Sequence, residues 1–304
     1  MASPLPSLLT VPFFLALLAT LLVAATLRLL AILPNARSQR HHTHRLTSSR
    51  AQLARRRQAG ARVLVVLGSG GHTHEMFELL RGLDTRKYTH RTYVVSSGDV
   101  FSALRAVEFE RGLEDAERRR KGKTRSQNGD ARKAGGEDGT DTASAHVGFQ
   151  HYTIATIPRA RHIHQSLLTT PLSCLRTLLF SFSPLLTAPS PNPNPLPTPQ
   201  PPPSPSSRAL PSLILTNGPA TAVIVILAAL LLRFFDVRGA QSTGKCRTIY
   251  AESFARVRTL SLSGKILVRL VDRFLVQWEE LEGAGGRAEF WGVLVGGGAR
   301  EGSE

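Results

Sequence analysis

The 304-residue chain is predicted to be an α/β domain on a mainly parallel sheet, preceded by one transmembrane helix. Three observations predict this. Short β-branched runs alternate with helical patterns in the order strand, helix, strand, helix, as a parallel sheet requires. A Gly-rich turn directly follows the first of these runs. The N-terminal apolar residues form one stretch long enough to cross a bilayer. At 42% hydrophobic overall, the composition suits one membrane segment plus one compact domain.

The stretch from Val11 to Leu33 is apolar except for Thr20, Thr26 and Arg28. No charge precedes it, and Arg37, Arg40, Arg45, Arg50, Arg55, Arg56 and Arg57 follow it without an acidic residue among them. The positive-inside rule then puts the domain in the cytosol. Arg28 is expected to snorkel to the headgroups. A cleaved signal peptide is the rival reading, but it normally has a basic start and a shorter apolar run.

Arg62 to Leu67 (RVLVVL) is expected to be a buried strand, followed by the turn and a helix from Thr73. Thr89 to Ser96 is a second strand and Val100 to Phe109 a helix. Tyr152 to Ile157 is a strand, and Ser166 to Phe180 a helix with Pro171 set awkwardly inside it. Leu213 to Thr216 is a strand, after which Asn217, Gly218 and Pro219 turn the chain, with Pro219 at the first helical position. Ala220 to Phe235, apolar all round, is expected to be a helix buried in the domain or lying at the membrane surface. A second span is the alternative. Thr248 to Glu252 and Phe274 to Trp278 are strands flanking a helix from Leu262 to Val271.

These elements divide the chain into an anchor at 1–34, a basic juxtamembrane segment at 35–61, a domain at 62–295 and a flexible tail at 296–304. Two insertions interrupt the domain. The first, 110–145, has almost no apolar residue after Leu113 and is expected to be disordered. The second, 184–211, holds most of the prolines and reads as an extended spacer, or else a docking site for a proline-reading domain.

A net charge of +16 suits nucleic acid or an anionic membrane. The Arg run has neither interleaved aromatics nor a nucleic-acid module, so attraction to lipid is the simpler account. Cys174 and Cys246 are far apart with no CxxC pair, which signals neither a zinc site nor a disulfide framework and fits a reducing compartment.

The chemistry is concentrated in Gly68, Ser69, Gly70, Gly71, His72 and Thr73. Glycines let a backbone turn sharply and approach a ligand, and the helix that follows offers unpaired N–H groups to an anion. The turn suits a phosphate or diphosphate. It lacks the Gly-Lys-Ser/Thr ending of a P-loop and the spacing of GxGxxG, and a tight turn without a ligand is the plain alternative. His72 is the catalytic candidate, able to act as a general base or to bond a phosphate oxygen. His72 and His74 lie two apart without a third ligand, so no metal is expected.

GSGGHTHEM, then IPRAR at Ile157 to Arg161, TNGP at Thr216 to Pro219, AESFARVRTLSLSGKIL from Ala251 and VDRFLVQW from Val271 stand in register. Together they resemble the family of membrane-anchor subunits of the eukaryotic UDP-N-acetylglucosamine:dolichol-diphosphate-N-acetylglucosamine transferase. The resemblance spans Arg62 to Val295 apart from the insertions. It implies a Rossmann-like domain corresponding to the N-terminal, acceptor-binding half of a GT-B glycosyltransferase. A separate soluble subunit would bind the UDP-N-acetylglucosamine donor. It further implies a place at the cytosolic face of the endoplasmic reticulum membrane, an N-acetylglucosaminyl-diphosphodolichol acceptor, no cofactor, no nucleic acid and no catalysis by this chain alone. By motif, Gly68 to Thr73 would meet the acceptor diphosphate, while Asn217, Glu252, Ser253 and Arg256 would line the cleft facing the partner. A buried pair between Glu252 and Arg256 is the structural alternative. This chain departs from the family at His74, where Gly is usual, in its two insertions, and in GGGAREGSE after Val295.

Two other functions compete. A self-sufficient transferase would need a second Rossmann-like half, for which the residues after Trp278 are too few. A non-enzymatic basic membrane scaffold would leave the ordered motifs unexplained.

Overall fold

The structure, a computed structural model, describes residues 6–34, 60–131, 146–161, 165–166, 168–187, 209–218 and 220–293. Its elements are helix α1 (Pro6–Ile32), strand β1 (Ala61–Val66), α2 (Gly71–Leu79), β2 (Tyr88–Ser96), α3 (Val100–Ala131), β3 (Tyr152–Ile157) and α4 (Thr170–Leu186). There follow β4 (Leu213–Asn217), α5 (Thr221–Phe234), β5 (Arg247–Ala251), α6 (Leu262–Leu267), β6 (Arg273–Val276) and β7 (Ala288–Phe290). The strands form one sheet in the order β3-β2-β1-β4-β5-β6-β7, with every neighbouring pair parallel.

Helices cover both faces, which is why β1 is apolar apart from Arg62. Leu64 and Val66 pack with Ile214, Val225 and Leu232, while Val63, Val65 and Leu67 pack with Met76, Phe77 and Tyr93. That alternation follows from the pleat of a strand. The chain runs outward from β1 to β3 and returns on the other side of β1 as β4. The strand order therefore reverses between β1 and β4, and parallel sheets open a crevice at such a point, beyond the C-terminal ends of the strands.

Residues Pro12–Ile32 of α1 are long and apolar enough to cross a membrane. About 1.5 Å of rise per residue gives them the ~30 Å of a hydrocarbon core. Eight residues of α5 are buried, including Ile224, Val225, Ala229 and Leu232, and its 14 residues reach only about 21 Å. This helix is thus a core element of the domain. Arg28 does not snorkel freely. Its Nε donates to the Phe234 carbonyl at 3.0 Å and its Nη2 to that of Arg233 at 3.3 Å, while Arg233 Nη2 donates to the Ile32 carbonyl at 3.0 Å. Each arginine thus satisfies carbonyls in the last turn of the other's helix, where intrahelical partners run out.

Several expectations need correction. Helix α3 runs on to Ala131, so the first part of the stretch expected to be disordered is helical. Its Glu, Arg, Lys and Ala residues are good helix formers without burial, and Glu114–Arg118 and Glu117–Arg120 pair one turn apart. Glu110, taken as the start of that insertion, is buried: Arg91 Nε and Nη2 grip its carboxylate at 2.6 and 2.8 Å, and Tyr93 Oη donates to it at 2.7 Å. Pro171 falls in the first turn of α4, where a missing N–H costs nothing. Pro184, placed in the second insertion, belongs to α4, and its carbonyl accepts from Arg62 Nη2. Strand β7 was not expected; its three residues are too few to show a period. Residues 35–59, 132–145, 188–208 and 294–304, and Pro219, lie outside the described residues, so the juxtamembrane segment up to residue 59, most of the Pro-rich insertion and the tail do too, while Ala61, counted in the juxtamembrane segment, opens β1.

Candidate functional site

The C-terminal end of β1 leads into Gly68, Ser69 and Gly70, and α2 begins at Gly71. Gly70 caps α2 with φ of +63°, a conformation that side chains disfavour. A Cβ on Gly68 would stand 2.6 Å from that of His72, and one on Gly218 (φ +76°) 3.1 Å from the His72 ring. Two glycines therefore make room for one imidazole. A Cβ on Gly71 would meet nothing within 4 Å, so glycine there keeps the helix end open and is not needed for the turn.

Ser69, Gly70 and Gly71 are exposed and His72 is half-buried. Thr73 behaves otherwise. It is fully buried, its hydroxyl donates to the Gly68 carbonyl, and its Oγ1 lies 2.7 Å from Ser102 Oγ. Ser102 is held in turn by Asp99. Thr73 thus braces the loop from behind, because its place in the first turn of α2 points it inward.

Across the crevice, Asn217 ends β4. Its Nδ2 donates to the His72 carbonyl at 2.5 Å, tying the two strand ends together. One turn along α2 from His72, Glu75 Oε1 accepts from Ser253 Oγ at 3.0 Å and from the Phe254 N–H at 3.3 Å. Its other oxygen, Oε2, lies 3.9 Å from His72 Nδ1. Glu75 Oε2, His72 Nδ1 and Asn217 Oδ1 are all buried without a hydrogen-bond partner. An orphaned buried polar atom costs about 1–3 kcal/mol, and three of them share this crevice. The other such atoms among the described residues, on Thr89, His90 and Arg287, belong to the opposite edge of the sheet.

The residues expected to line the cleft separate. Asn217 and Ser253 are in it. Glu252 is 1% exposed and staples the following loop, its Oε1 accepting from the Ser253 N–H and its Oε2 from the N–H and Oγ of Ser261. Its partners are these and not Arg256, whose side chain is exposed beyond the crevice. A carboxylate beside a close Gly264 has no room to face a ligand. His74 lies on the exposed side of α2, 4.0 Å from Glu78, so it does not stiffen the turn. Glu75 was missed, although its spacing of three from His72 on a predicted helix sets the two side by side. Trp278 lies tilted against Phe254 with centroids 5.0 Å apart and donates to the Phe254 carbonyl at 2.7 Å. Two open grooves lie elsewhere. One of about 400 Å³ touches Leu83 and Trp291, the other of about 490 Å³ Trp278 and Phe290, and neither reaches His72.

A parallel sheet with a Gly-rich helix start and a polar crevice where its strand order reverses defines a Rossmann-like α/β protein, here with an apolar helix in front. The comparisons with known proteins make this specific: the chain belongs to the Alg14-like family of oligosaccharide biosynthesis proteins, whose model, described as "Oligosaccharide biosynthesis protein Alg14 like", matches residues 63–294. Among its relatives, the UDP-N-acetylglucosamine transferase subunit alg14 of Aspergillus fumigatus is 41% identical over 237 residues, covering 68% of this chain and 92% of that protein. The subunit of the same name from Schizosaccharomyces pombe is 34% identical, covering 77% and 83%. The human one is 33% identical, covering 77% and 82%. No solved structure matches.

Proposed function

We propose that this chain is the membrane-anchored, acceptor-side subunit of a two-chain UDP-N-acetylglucosamine transferase. It recruits a soluble donor-binding subunit to the cytosolic face of the endoplasmic reticulum. The pair transfers N-acetylglucosamine to N-acetylglucosaminyl-diphosphodolichol, giving the chitobiosyl-linked lipid used in N-glycan synthesis. The observation that carries this is the group of orphaned atoms on His72, Glu75 and Asn217 beside the N-terminus of α2. The names of the relatives supply the reaction class.

In this function the open helix end at Gly70 and Gly71 receives the acceptor diphosphate on N–H groups that lack intrahelical partners. His72 bonds a phosphate oxygen, and Asn217 and Glu75 fix the sugar next to it. The sheet accounts for one Rossmann-like half. The described residues after Trp278 add only β7 to the same sheet, and the naming of the relatives as subunits supports a donor held by a second chain. Reconstituting the purified full-length chain with and without a donor-side subunit, on a lipid-diphosphate acceptor, tests this. Transfer only by the pair is expected, and transfer by this chain alone would overturn it. With His72→Ala the KM for acceptor should rise while kcat holds, as loss of a binding contact requires.

A further inference from the structure

Helix α4 packs along α5 and shares a core with it: Leu178, Phe182 and Leu185 lie against Val225, Ala228 and Leu232. Its other side is bare. Leu168 just ahead of the helix, then Leu172, Leu175, Leu179 and Phe180, are 50–91% exposed, at the three- and four-residue spacing that puts them in one stripe. At the end of α5, Leu231 and Phe235 are also exposed, Phe235 at 71%. Neither helix holds an acidic residue, whereas Arg176 lies on the bare side and Arg161 and Arg238 close by are exposed. Contiguous apolar surface of this kind marks an interaction site.

What covers it is indicated by the joint at the end of α5. There Arg28 and Arg233 exchange hydrogen bonds between the last turn of α1 and the last turn of α5, Ile32 is 2% exposed, and Arg233 is pinned to Asp272 at 2.9 Å. Phe235 therefore adjoins the foot of the membrane helix, and just beyond it Arg238 donates to the Leu186 carbonyl at 2.8 Å, at the C-terminal end of α4. An apolar face flanked by arginines, its nearest acid Asp236 turned to the N–H groups of Gln241 and Ser242, suits the boundary between anionic headgroups and acyl chains.

We propose that the outer side of α4, with Leu231 and Phe235, is a second membrane contact, sunk into the surface of the bilayer that α1 crosses and held there by the Arg28–Arg233 joint. This rests on α1 being a transmembrane anchor. The domain then lies against the membrane in a set orientation and does not swing on a tether.

The test uses the full-length chain in nanodiscs with anionic lipid, in a Cys174→Ser background; Cys246 is buried. A fluorophore is attached at Leu18→Cys, Leu172→Cys, Leu175→Cys or Leu262→Cys, the last being an exposed residue of α6, and quenched by doxyl-labelled lipid or by aqueous iodide. Loss of fluorescence to lipid quencher at positions 172 and 175, as at 18 and unlike 262, is expected. Lipid quenching at 18 with iodide quenching at 172 and 175 would overturn the second contact while leaving the anchor intact. No lipid quenching at 18 would overturn the anchor itself. Protection of 172 and 175 from both quenchers would mean that protein covers the stripe, and would overturn the lipid assignment. Arg28→Leu should lower lipid quenching at 175 and leave it unchanged at 18; unchanged quenching at both would overturn the role of the joint.

Discussion

At the lower edge of the sheet, where the strands begin, buried charge is paired. Arg91 holds Glu110 with two nitrogens in a pair 0% and 1% exposed, and Asp272 receives both Arg233 and Arg247 at 2.9 Å. At the upper edge, His72, Glu75 and Asn217 each leave an atom unanswered. The lower groups are neighbours of the core, where breaking a pair strands a charge in low dielectric. The upper groups surround a crevice, and their missing partners are what a ligand would bring. The lower edge also leaves atoms of Thr89, His90 and Arg287 unpaired, so what separates the edges is the carboxylates: Glu110 and Asp272 are held by arginines below, while one oxygen of Glu75 is left open above.

The largest effect should come from breaking the lower edge. Glu110→Ala leaves Arg91 buried without its carboxylate and should cost about 3–5 kcal/mol, read as a lower denaturation midpoint of the full chain. A loss under ~1 kcal/mol would show that the pair is not the edge's keystone.

Next in size, Glu75→Gln should reduce kcat/KM of the reconstituted pair about 100-fold, or ~2.7 kcal/mol. Its unfolding midpoint should stay within the scatter of the parent. Equal losses of stability and transfer would erase the distinction between the edges.

A smaller effect comes from pH. Burial, with help from the charges of Arg62, Arg91 and His151, holds His90 down at about 3. Burial also lowers His146 and His151. The unfolded chain therefore takes up protons below about pH 6.5 that the folded one refuses, so stability is full above that pH and falls as pH drops toward 3. The slope attributable to His90 is at most about 1.4 kcal/mol per unit. Thermal melts of the parent and His90→Gln between pH 5 and 8 should show a flatter profile in the variant; parallel profiles would remove His90 from this account.

The smallest effect is expected from deleting Arg118 to Asp141. The described side chains of α3 beyond Arg118 are exposed, and shortening a loop changes its closure entropy only slowly. A shift of more than about 1 kcal/mol would show that the charged helix supports the lower edge.

The strands were legible because both their faces are buried: RVLVVL and TYVVS leave little else for the chain to do. Helix ends were less so. Nothing in a run of Arg, Glu and Lys says whether it is solvated coil or solvated helix, and the buried role of Glu110 depends on Arg91, which is close only once β2 is placed. In the site, the Gly-rich turn, His72, Asn217 and Ser253 could be read from motif order. The inward turn of Thr73 and the staple made by Glu252 could not, since both follow from which side of a loop faces the core. The joint between Arg28 and Arg233 links residues 205 apart in the chain and has no local signal.

The position of β1 also bears on how the protein is made. On one side β1 pairs with β2, within reach almost at once, but on the other Val63 waits for Leu213, 150 residues later. At about 5–20 residues per second, synthesis of that interval takes roughly 8–30 s. Throughout it one flank of β1 presents unsatisfied N–H and C=O groups, the condition under which strands pair wrongly. The two long insertions both fall inside the interval and lengthen it. The nascent chain should therefore have its greatest need of a chaperone after β3 emerges from the ribosome and before β4 does.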